Sequence, residues 1–121
     1  NLTTEMLLKS GVFGVSILEL DVPMTFLGQY GFKCGRNIDK YCNVNYYLGD
    51  TRVPIVTDWA ISTFEAKVVH VLDLPTHVLF VGEVTASKFI KEAAPLTYAD
   101  YHTVKKGKSP KTAPTFGFNV M

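Results

Sequence analysis

The stretch WAISTFEAKVVHVLDLPTHVLFVGEVTASKFI, Trp59 to Ile90, decides the fold. Trp59–Leu72 and Thr76–Ile90 are long runs rich in Val, Ile, Phe and Thr, whose branched or aromatic side chains suit a pleated sheet. Asp73, Leu74 and Pro75 form a turn between them, so the pair reads as an antiparallel hairpin. Polar Lys67 and His70 are set among apolar Val68, Val69 and Val71, a partial alternation. Long, curving antiparallel arms point to a barrel or a strongly coiled sheet. The fold class is all-β, β-rich with short helices.

Outward from the hairpin the elements are shorter. Arg52 to Val56 reads as extended and Val44 to Leu48 as a short strand, with Gly49-Asp50 turning between them. Phe32 to Lys40 is a polar, glycine-containing loop. Met24 to Tyr30 reads as a short helix closed by Gly31. Val12 to Leu18 is a strand, and Leu2 to Lys9 a helix with Thr3 or Thr4 as its cap and Gly11 as its stop. Beyond Glu92 the pattern weakens to one helical turn within Ala93–His102 and a polar loop at Lys105–Pro114. No repeat and no linker divides the chain, so residues 1–121 form one domain.

The 121 residues are 47% apolar, enough for a core. Twelve basic against eleven acidic side chains leave a formal net charge of +1, which argues against nucleic-acid binding by bulk charge. The longest apolar run, around Val78–Val81, falls far short of the ~20 residues of a membrane-spanning helix, so no membrane partner is expected. The chain does not open on a basic segment followed by an apolar one, and Cys34 and Cys42 are too few for a disulfide framework. A cytoplasmic, reducing setting is the expectation.

Few residues suggest chemistry on their own. The loop Phe32-Lys33-Cys34-Gly35-Arg36-Asn37-Ile38-Asp39-Lys40 gathers three cations and a glycine. Cations pair with phosphate oxygens, and glycine lets backbone N–H groups approach a ligand. An ordinary solvated loop has the same composition, and the glycine spacing is not that of a Walker loop. His77, at the start of an apolar strand, reads equally as a backbone-bonded histidine or a ligand contact. His70 reads as structural, and Tyr98, Tyr101 and His102 as packing. The histidines and cysteines lack zinc spacing, and no G-x-S-x-G occurs. The run Lys105-Lys106-Gly107-Lys108 reads as a solvated segment, or as a dock for an acidic partner or the phosphates of a nicotinamide cofactor.

Six segments in order bring a resemblance. They are Asn1–Glu5, Ser10–Leu18, Tyr30–Tyr41, Thr76–Val84 (THVLFVGEV), Pro95–Tyr98 and Gly107–Phe116 (GKSPKTAPTF). Together they resemble the flavin reductase-like, FMN-binding split-barrel family, with its flavoredoxin, ferric reductase and rubredoxin-linked flavin members. The resemblance implies a six-stranded Greek-key barrel with helical insertions, usually a homodimer with flavin near the interface. It implies non-covalent FMN, NADH or NADPH as possible donor, and an acceptor such as flavin, an iron centre or a redox partner of rubredoxin or flavodiiron type. The alternative is a non-enzymatic FMN-binding electron carrier or interaction module.

Carried over by position, the resemblance puts Thr3 near the flavin phosphate or ribityl chain. It puts Lys40 on the cofactor, Arg36 at the phosphate or an interface, His77 near the flavin and Phe116 beside the ring. It assigns no catalytic residue. Cys34 stands where the family uses serine, and a thiol is the weaker hydrogen-bond partner. No rubredoxin-type pair of C-x-x-C motifs occurs. Tyr98, Tyr101 and Phe118 are candidates for a dimer interface. Family members have strands before the segment matching Asn1–Glu5. The expectation is that further residues precede Asn1 and complete the flavin site, leaving an unpaired β edge or an open apolar groove near Val12–Leu18.

Overall fold

The computed structural model describes residues 2–31 and 43–103. Helix α1, Leu2–Ser10, leads into strand β1, Val12–Leu18, and helix α2 spans Met24–Gly31. Strands β2, Tyr46–Leu48, and β3, Pro54–Val56, form a short hairpin. Strands β4, Ala60–Asp73, and β5, Val78–Phe89, form a long one, and helix α3 covers Tyr98–Thr103. The strands make two open sheets, one ordered β1-β4-β5 and one β2-β3. These strands and short helices match the β-rich reading, with narrower bounds for β2 and β3.

Local chemistry accounts for the joints. Gly11 has φ +68° and its N–H donates to the Leu7 carbonyl at 2.9 Å, the left-handed close of α1. The Gly11 carbonyl then accepts from Val68 N at 2.8 Å, which ties the end of the helix to β4. The β4–β5 turn is closed by Leu74 N donating to the His77 carbonyl at 2.8 Å, with Pro75 at the position its fixed φ favours.

Two residues interrupt the β4–β5 ladder. The register passes from Val68 opposite Gly82 to His70 opposite Val81, leaving Val69 as an extra residue. It passes from Glu65 opposite Ala86 to Ala66 opposite Val84, leaving Thr85. Such bulges bend and twist the strands. Strand β1 pairs with β4 from Leu18 opposite Ala60 to Val12 opposite Lys67. Beyond Lys67 the hairpin therefore continues as a two-stranded ribbon.

Cross-strand partners share a face, so the register sorts the sheet's two sides. One face has Gly14 and Ser16 of β1, Thr63 and Glu65 of β4, and Lys88 of β5. The β2–β3 hairpin packs on it: a Cβ on Gly14 would lie 2.9 Å from Ile55 Cγ1. The other face has Phe13, Val15, Phe64, Ala66 and Val84, and there the Phe13 ring lies across Gly82. The buried apolar residues among those described are Val22, Ile55, Ala60 and Ala66. On the second face only Ala66 is among them.

Candidate functional site

An apolar groove of about 250 Å³ runs beside β1. Its floor is Gly14, Ser16 and Leu18, one wall is Pro54–Val56 of β3, and the other is Phe26, Leu27 and Tyr30 of α2. Phe26 and Tyr30 are four apart, so they share one side of the helix, and their rings meet at 5.0 Å. The hydroxyl of Ser16 donates to the Val56 carbonyl at 2.6 Å, which fixes the floor to the wall. In the β1-β4-β5 sheet, β1 is an edge strand. Past Ile17 its far side is taken, because Leu18 O accepts from Leu96 N and Leu20 N donates to Ala94 O, each at 2.8 Å. Among the described residues no strand pairs with the far side of Val12–Ile17, and the apolar groove lies beside it.

The β3 wall is held at both ends. At the open end of its hairpin, Asn45 N and Nδ2 donate to the Asp58 carboxylate at 3.1 and 2.9 Å. At the turn, the buried Glu65 carboxylate accepts from Asp50 N at 2.9 Å, Thr51 Oγ1 at 2.9 Å and Thr51 N at 3.4 Å. Gly49 leaves room for this carboxylate, since a Cβ there would collide with Glu65 Oε2. Tyr47 adds a hydroxyl contact to Thr63 Oγ1 at 2.8 Å.

At the corner before β4, Trp59 has φ 62° and its carbonyl accepts from Glu19 N at 2.8 Å. Glu19 pairs with Lys91, whose Nζ lies 6.0 Å from the centre of the indole ring.

A family model described as the flavin reductase like domain matches residues 1–106. The chain belongs to that family. It is 50% identical over 108 residues to a ferric-chelate reductase (NAD(P)H) of Archaeoglobus fulgidus, an alignment covering 89% of this chain and 64% of that protein. It is 41% identical over 116 residues to the high molecular weight rubredoxin of Moorella thermoacetica, covering 96% and 51%. Among solved structures it is similar to an FMN-binding protein from Thermus thermophilus with bound p-hydroxybenzaldehyde. The TM-score is 0.65 at 28% identity, over 74% of this chain and 50% of that one. The chain thus spans about half to two thirds of the length of these relatives.

Two of the flavin contacts expected from the family likeness lie on described residues. Thr3 is exposed in the first turn of α1. His77 is exposed at the tip of the ribbon, its Nδ1 2.5 Å from Thr76 Oγ1. Neither lines the groove. Arg36, Lys40 and Phe116 lie outside the described residues, as do Phe118, both cysteines and the lysine run. Tyr98 and Tyr101 pack with His102, their rings 4.5 and 5.0 Å from the imidazole.

The groove walls and Glu65 were not singled out as site residues from sequence. Phe26 and Tyr30 at helical spacing were the available sign for one wall. For Glu65 the sign was a lone acid inside an apolar strand. Among the described residues no cluster of His, Cys, Asp and Glu could hold a metal, and no helix is long and apolar enough to cross a membrane.

Proposed function

We propose that the protein is an FMN-dependent oxidoreductase. It takes electrons from NADH, NADPH or a protein donor and passes them to an acceptor: free flavin, an iron centre or a partner flavoprotein. The observation that supports this above all others is the 50% identity to a protein named ferric-chelate reductase (NAD(P)H).

The residues fit a planar ring system with an anionic tail. The first turn of α1 offers the Thr3 hydroxyl and the positive end of the helix to a phosphate; Glu5 in the same turn works against an anion there. Lys40 and Arg36 supply the cations that outweigh it. The Thr76 hydroxyl lies against His77 Nδ1, and the tautomer in which Thr76 donates would leave an Nε2–H for the ring. Phe116 packs beside the ring. Bound FMN would supply two-electron hydride uptake and the release of both electrons, together or one at a time; the chain's part is to bind it, orient it and place donors where charge accumulates. We further propose a cytoplasmic homodimer that meets a redox partner of rubredoxin or flavodiiron type.

A carrier without its own nicotinamide site is the second reading, favoured by the likeness to a high molecular weight rubredoxin. Anaerobic rapid mixing of the FMN-loaded protein with NADH and with NADPH separates the two. Bleaching of the flavin band within the turnover time supports the reductase. Tight FMN binding with no bleaching by either nucleotide leaves the carrier, and failure to bind FMN sinks both. Lys40→Ala is expected to weaken FMN binding by roughly 10- to 150-fold, the equivalent of a charge-assisted hydrogen bond worth about 1.5–3 kcal/mol. An unchanged dissociation constant refutes the phosphate role of Lys40.

A further inference from the structure

The turn at the tip of the β4–β5 ribbon holds His77 by its backbone and by its ring. Asp73 opposite Val78 is the last row of the ladder. The His77 carbonyl accepts from Leu74 N at 2.8 Å, and Pro75 fixes one φ of the turn between them. These contacts place the backbone of residue 77. On the ring, Thr76 Oγ1 lies 2.5 Å from Nδ1. That contact occupies one ring nitrogen within the turn and leaves Nε2 as the nitrogen open to a ligand.

We propose that Thr76 is a positioning residue for His77: its hydroxyl donates to Nδ1 and so commits Nε2 to donate toward the flavin ring. The inference rests on the reading of His77 as a flavin contact and adds the residue that sets the polarity of that contact. A neutral imidazole has one N–H and one bare nitrogen, and the partner of either nitrogen decides which is which. The flavin edge where charge accumulates on reduction is an acceptor, so a contact there needs Nε2–H. Nδ1 is then bare and needs a donor. A backbone carbonyl or a carboxylate, the usual partners of that nitrogen, only accept, and they favour the proton on Nδ1. A hydroxyl donates, and it brings no charge of its own to the ring. The reduced flavin carries the extra negative charge, so it gains most from the Nε2–H and loses most when the imidazole is no longer held.

The test compares the affinity of the chain for reduced and for oxidised FMN, the ratio of which sets the midpoint potential of the bound flavin. Thr76→Val keeps the shape of the side chain and removes the hydroxyl. It is expected to lower the reduced-to-oxidised affinity ratio about two- to tenfold, the worth of one neutral hydrogen bond. For a two-electron couple that is a fall in potential of about 10–30 mV. Thr76→Ser, which restores the hydroxyl, is expected to keep the wild-type ratio. In a His77→Ala background, Thr76→Val is expected to change the ratio no further. The flavin-free protein supplies a second reading. In nitrogen-15 spectra taken in alkaline buffer, where imidazole is neutral, Nδ1 of His77 is expected to be unprotonated and displaced by its hydrogen bond from its position in Thr76→Val.

A His77→Ala protein with the wild-type ratio overturns the flavin role of His77 and this inference with it. If His77→Ala lowers the ratio and Thr76→Val does not, the inference alone is overturned. It is overturned as well if Thr76→Val lowers the ratio equally with and without His77, if Thr76→Ser behaves as Thr76→Val, or if Nδ1 is protonated or indifferent to Thr76→Val.

Discussion

Glu65 has one charge and three acceptor contacts, all spent on a single turn. Removing it leaves turn N–H groups without their partner, and hydrogen bonds to a charged group contribute about 1.5–3 kcal/mol. Glu65→Ala is therefore expected to destabilise the protein by about 2–3 kcal/mol in urea unfolding. Gly49→Ala pushes a methyl into the same carboxylate and is expected to lose about 1–3 kcal/mol by overpacking. Because each change disrupts the same contact, the double variant should lose less than the sum of the two, by about 1 kcal/mol or more. Strict additivity would show that the clamp is not the shared cause. Arg52, two residues past Asp50, sits at φ 67°, a region that strains any side chain with a Cβ. Arg52→Gly is expected to be neutral or stabilising by up to about 1 kcal/mol, and Arg52→Val destabilising by more than that. The opposite order of melting temperatures would refute the strain.

At the scale of elements, the β4–β5 hairpin depends on a close approach at its centre. A Cβ on Gly82 would lie 2.7 Å from the Phe13 ring and 3.1 Å from Ala66. Gly82→Val is expected to lift Phe13 off the sheet and to lower stability by about 1–3 kcal/mol. Phe13→Ala should absorb much of that loss, and a loss independent of Phe13 would place the strain elsewhere. The hairpin itself was legible because composition alone sets it: two β-branched runs flank a proline turn. Its bulges at Val69 and Thr85 were not, since two adjacent apolar residues such as Val68 and Val69 fit a strand with or without an inserted residue. Strands β2 and β3 came out shorter than read because Arg52 takes a positive φ and the Asn45–Asp58 clasp precedes the ladder. The groove was foreseen as a bare edge beside Val12–Leu18, but its walls were not. Burial of Glu65 and convergence of α2 on β3 are tertiary events that no local window contains. Thr3 and His77 came from likeness to a family, not from any local pattern.

For the whole molecule, the balance of burial makes ligand binding a stability measurement. Few apolar side chains among the described residues are fully buried, while Val84, Phe89 and others stand exposed. Folding entropy of about 1–2 kcal/mol per residue for the backbone is then offset by a thin margin, and whatever binds only the folded chain raises that margin directly. A ligand at a hundred times its dissociation constant adds about 2.7 kcal/mol. In a chain of this size each kcal/mol shifts the melting temperature by roughly 3–6 °C. FMN at that concentration is therefore expected to raise the melting temperature by about 10 °C. Lys40→Ala, at the same FMN concentration, should recover only about half of the rise or less, because a tenfold weaker site contributes about 1.4 kcal/mol less. Riboflavin, which has the ring without the phosphate, should behave toward the wild-type chain as FMN behaves toward the variant. If riboflavin and FMN stabilise the wild-type chain equally at equal concentration, the phosphate makes no contact of consequence, and the roles given to Thr3, Arg36 and Lys40 are wrong. If FMN shifts nothing at any concentration, the chain holds no flavin.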